Sequence, residues 1–62
     1  MKIKAGDRIV NLSVPWSGKL RYIKSIFKRE FALIDLPNAE IRMIQVDDVL
    51  YNSSIECWEA FK

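Results

Sequence analysis

Three apolar runs in the middle of the chain dominate its pattern. Lys19–Phe27 reads KLRYIKSIF, Phe31–Leu36 reads FALIDL, and Glu40–Val46 reads EIRMIQV. Each is rich in β-branched and aromatic residues, and short polar breaks, Lys28-Arg29-Glu30 and Pro37-Asn38-Ala39, separate them. This pattern predicts three consecutive antiparallel strands. In the first, the alternation falters where Tyr22 and Ile23 are adjacent, which predicts a bend or bulge near Tyr22–Lys24. In the second, Ala32, Ile34 and Leu36 share a face that we assign to the core, with Asp35 pointing to solvent. In the third, Arg42 is assigned to solvent, so Ile41 and Met43 are expected to face inward and Ile44 to stay partly exposed. The first break lacks glycine and asparagine, so a tight hairpin is not expected there.

The flanks complete a mainly β fold. Ala5-Gly6-Asp7 is a turn signal, and Arg8–Leu12 reads as a short first strand. Ser13–Gly18, with Pro15, reads as a loop that carries Trp16. Val46–Leu50 suits one helical turn, with Asp47 and Asp48 at its positive end, followed by a short strand at Tyr51–Asn52. Ser53 and Glu56 fit a capping box, and Ile55, Trp58 and Phe61 fall at helical spacing, which predicts a short C-terminal helix over 53–62. So short a helix needs an apolar contact on the barrel or on a partner. The expected organisation is a five-stranded barrel over residues 1–52 with a helical extension over 53–62.

The order of elements resembles SH3-like barrels. Gly6-Asp7-Arg8-Ile9, Trp16-Ser17-Gly18 and Ile44-Gln45-Val46-Asp47-Asp48-Val49 carry the resemblance. Two groups with this layout are the KOW-type domains of ribosomal and transcription factors, which bind RNA or protein, and the plasmid-encoded dihydrofolate reductases. The reductases build their pore with a Val-Gln-Ile-Tyr segment. The matching stretch here is Ile41-Arg42-Met43-Ile44. The groups that would contact folate and nicotinamide are absent, and that activity is rejected.

Charge sharpens the functional reading. The chain of 62 residues has a net charge of +2, but residues 1–29 carry +7 and residues 30–62 carry −5. Segregated on the surface, the halves would offer a basic face to phosphates; interleaved by barrel closure, they would largely neutralise each other. Lys19, Arg21, Lys24, Lys28 and Arg29, with Trp16, are the candidate contacts for nucleic acid or a nucleic-acid-associated machine. Trp16 either stacks on a ligand or folds back as a lid on one end of the barrel. Tyr22, Phe27 and Phe31 either stack on bases or belong to the core. The alternative is a protein–protein modulator using Ile44, Ile55, Trp58 and Phe61.

Other chemistry finds little footing. There is one cysteine, Cys57, and no histidine, which disfavours a metal site and leaves the thiol without its usual activating base. Asp47 and Asp48 are adjacent in a turn and are expected to point apart rather than act as a catalytic pair. No cofactor and no enzymatic activity are expected. The N-terminal residues lack a long apolar run, so the expectation is a cytoplasmic protein with no membrane segment, possible as a homo-oligomer.

Overall fold

The computed structural model describes residues 2–61. Its strands are β1 (Arg8–Asn11), β2 (Trp16–Ile26), β3 (Arg29–Asp35), β4 (Ile41–Gln45), β5 (Val49–Asn52) and β6 (Cys57–Ala60), with a 3₁₀ turn at Val46–Asp48. They form one six-stranded sheet in the order β4-β3-β2-β1-β6-β5. The mainly β reading holds, and the count of five strands is corrected to six.

Closure is corrected too. β4 and β5 are linked by the 3₁₀ turn yet lie at opposite ends of the strand order, and among the described residues no ladder joins them. The sheet curls around its inner face and stays open. All six strands contribute to the core: Ile9, Leu20, Ala32, Ile34, Ile44, Val49 and Ala60 are buried, joined by Ile3 from the N-terminal segment. Trp16, Ile23, Leu36, Val46 and Trp58 pack around this cluster.

The expected C-terminal helix is a strand. β6 runs parallel to β1 and antiparallel to β5. The side chain of Asn52 accepts a hydrogen bond from Ser54 N–H at 2.9 Å, and Glu56 adopts φ 52, so the chain reverses tightly instead of winding on. Within β6, Ala60 is buried and pairs with buried Val49, while Trp58 pairs with Tyr51 on the same face. A two-residue period replaces the helical one because an unpaired edge of β1 is available. A ladder across two neighbours satisfies more backbone groups than a helix this short retains in water.

β2 is the longest strand, 11 residues, and pairs with β1 over its first part and β3 along most of its length. Its register shifts between Leu20 and Tyr22, placing Arg21 at the irregularity. The expected bend therefore lies just before the predicted stretch. Gly18 lets β2 come close to β3. A Cβ at this position would stand 2.5 Å from the Asp35 carbonyl oxygen and 2.6 Å from Ile34 Cγ2. Gly6, at φ 95, closes the turn before β1, where Asp7 Oδ2 accepts the Lys4 N–H at 2.9 Å.

β2 and β3 are joined by a tight two-residue turn, although the missing glycine and asparagine argued against a tight hairpin here. Ile26 pairs with Arg29, and the intervening Phe27 and Lys28 both have positive φ, 47 and 67. Positive φ at both central positions is what a type I′ hairpin turn requires, because its twist matches that of the flanking strands. Asparagine and glycine usually supply it. Other side chains in this region cost about 1–2 kcal/mol each.

The face of β4 is reversed from the sequence assignment. Ala32 pairs with Ile44 and Ile34 with Arg42, so Arg42 and Ile44 share the inner face. Ile44 is buried, whereas Ile41 and Met43 are about half exposed at 51% and 53%. Arg42 can face inward because it lies near the strand end, with its guanidinium 5.4 Å from the centre of the Trp16 ring. A long aliphatic stem can cover apolar surface while its charge rests on an aromatic face.

Candidate nucleic-acid interface

Antiparallel partners share a face, so the register defines what the outer side of β2-β3-β4 presents. Its rows read Lys19–Asp35–Ile41, Tyr22–Leu33–Met43 and Lys24–Phe31–Gln45, and the two-strand row Ile26–Arg29 leads to the turn. Successive rows are about 7 Å apart. Tyr22 is 46% exposed, and Phe31 and Leu33 are half-buried. The side opposite the core thus carries an aromatic and apolar strip between lysines and arginines.

The five cations singled out in the sequence, Lys19, Arg21, Lys24, Lys28 and Arg29, are all exposed on β2, the turn or the start of β3. The ion pairs among the described residues are Arg21 with Asp35 at 3.1 Å and Lys2 with Glu30 at 3.7 Å. Lys19, Lys24, Lys28 and Arg29 therefore have no carboxylate partner within 4.0 Å among the described residues. Glu56 and Glu59 lie on the β5–β6 connection and β6, away from the β2–β3 hairpin in the strand order, whereas Asp48 of the 3₁₀ turn lines a hollow with Phe31, Met43 and Gln45 at the edge of the strip.

Trp16 lies elsewhere. It opens β2 rather than occupying a loop, and it pairs with Asn11 on the inner face at one end of the sheet. Its ring is half-buried against the core and covered by Arg42, and its indole N–H is buried without an acceptor among the described residues. Asn11 organises this end. Its side-chain oxygen accepts the Ser13 and Val14 N–H groups at 3.0 and 2.9 Å, which shapes the turn leading into Trp16. Trp16 and the hairpin cations therefore do not form one cluster.

The alternative residues also divide. Ile44 is buried, which corrects its assignment to an exposed interface. Trp58 is half-buried and meets Tyr51 edge-on with ring centres 5.4 Å apart. Ile55 and Phe61 are exposed. Ile55 lines a shallow groove with Arg8, Val10, Leu12, Glu56 and Cys57. The sequence reading missed the outward apolar residues Met43 and Ile41. The signal was present in the alternation of β4, had Arg42 been allowed to face inward.

Among the described residues no helix is long and apolar enough to cross a membrane. Comparison with models of known protein families, with curated proteins and with solved structures gives no match to this chain.

Proposed function

We propose that this protein is a non-catalytic binding module that holds unpaired nucleic acid, alone or within a nucleic-acid-associated machine, on the outer face of β2 and β3. The observation that supports it is the alternation of Tyr22 and Phe31 with Lys24, Arg29 and Lys19 on one exposed sheet face, where these three cations, and Lys28 in the adjoining turn, lack carboxylate partners among the described residues. Bases offer flat π-faces to aromatic side chains, and phosphates take the cations. Such surfaces bind single strands with little sequence preference. The likeness to SH3-like modules favours the same reading. It rests on a long bent second strand, a β2-β3-β4 meander and a 3₁₀ turn before the next strand. A reducing cytoplasmic setting suits the single thiol of Cys57.

Titration of labelled single-stranded and duplex oligonucleotides at about 50 mM salt tests this reading. Single strands should bind more tightly than duplex, and the double variant Lys24→Glu, Arg29→Glu should abolish binding while the melting temperature barely changes. Equal binding by the variant would remove the face from consideration.

A second reading draws on the exposed Leu12, at 61%, and Ile55, at 42%, which meet in the groove beside β1 and β6. A protein partner docked there through apolar contacts would bind with little dependence on salt.

A further inference from the structure

The tip of the β2–β3 hairpin conflicts with its own local chemistry. Phe27 occupies the first central position of a turn that favours asparagine or glycine, at φ 47. A large side chain is strained in this region, and strain of this kind is tolerable when packing compensates. No such compensation exists here, because Phe27 is 94% exposed, the highest value among the exposed large hydrophobic residues. Asparagine would relieve the backbone and remove an apolar ring from water. Conflicts between local preference and the fold concentrate where a residue serves binding instead of stability.

The surroundings point to the ligand. Lys28 completes the turn at φ 67, Arg29 follows it, and Lys24 lies on the face that leads back to Phe31 and Tyr22. All three cations are exposed and without a carboxylate partner among the described residues. A single projecting ring surrounded by cations matches a base with its flanking phosphates. Ile26, the nearest apolar neighbour in the chain, is half-buried. A second projecting apolar side chain, which would favour insertion into a lipid surface, is therefore missing at the tip.

We infer that Phe27 is a stacking contact for an unpaired base, held out by a strained turn, with Lys28 and Arg29 taking the adjacent phosphates. This rests on the outer face of β2 and β3 being the nucleic-acid interface, and extends that interface to the hairpin tip. Bases inside a duplex are already stacked on both sides, so the ligand this tip selects is a single strand or a loop.

The test pairs stability with affinity in the full-length protein. Phe27→Asn is expected to raise the melting temperature by several degrees, since it relieves the turn. It is also expected to weaken binding of a short mixed-sequence single-stranded oligonucleotide about tenfold or more at about 50 mM salt. Phe27→Trp should retain wild-type affinity. If Phe27→Asn binds like wild type while Lys24→Glu with Arg29→Glu does not bind, this inference fails and the proposed interface stands. If wild-type protein binds no oligonucleotide, both fail. A lower melting temperature for Phe27→Asn would show that the ring serves the fold, which overturns the inference. So would Phe27-dependent retention on phosphatidylcholine–phosphatidylserine vesicles without oligonucleotide binding.

Discussion

Arg42 lies over Trp16, its guanidinium carbon 5.4 Å from the ring centre, on the face of the sheet that also carries Ile34 and Ile44. A charged side chain thus forms part of the cover over one end of the core. Arg42→Ala should lower stability by about 1–2 kcal/mol, combining the lost cation–π contact with lost covering of the indole. Exposed positions normally change stability by less than about 0.5 kcal/mol. Urea unfolding measures the difference, and tryptophan emission should shift to longer wavelength as the ring gains water. An unchanged midpoint would place Arg42 in solvent.

The reversed face of β4 gives a second, independent prediction. Ile34 is fully buried, whereas Met43 is about half exposed at 53%. Ile34→Ala should cost about 2–5 kcal/mol, enough to unfold much of the population of so small a domain. Met43→Ala should cost less than about 1 kcal/mol. Comparable losses at the two positions would mean that both faces are covered.

The C-terminal strand makes a third. β6 is interior, with β1 on one side and β5 on the other, and Phe61 N–H donates to the Asp48 carbonyl at 3.0 Å. Deleting residues 54–62 leaves β5 without a partner and uncovers Ile9 and Val49. Circular dichroism should show loss of the cooperative transition. A truncated protein that melts like the full-length chain would contradict the place of β6 in the sheet.

These positions also show where the sequence was legible. β3 could be read directly: Ala32 and Ile34 alternate with Phe31, Leu33 and Asp35, and a strand flanked on both sides has its faces fixed by that alternation. β4 was misread because charge was taken to mean solvent, and nothing local says that Trp16 will lie within reach of Arg42. The tail was misread for a similar reason. Ser53, Glu56, Ile55 and Trp58 satisfy a helix locally, and the decisive partner is β1, more than forty residues earlier in the chain. The hairpin was unexpected because Phe27 and Lys28 are poor residues for its turn. The exposure of the candidate cations was legible, since lysines and arginines on a bent strand have few places to hide. The inward position of Trp16 depends on pairing with Asn11, which the sequence does not announce.

The salt dependence of oligonucleotide affinity tests the central claim most directly. If three to five of the hairpin cations meet phosphates, the logarithm of the association constant for a single strand should fall against the logarithm of salt concentration with a slope of about −2 to −3.5. Neutralising one contact, as in Lys24→Gln, should weaken binding and flatten that slope by about 0.7. A slope near zero, or no binding at about 50 mM salt, would contradict the assignment of the β2–β3 face to nucleic acid.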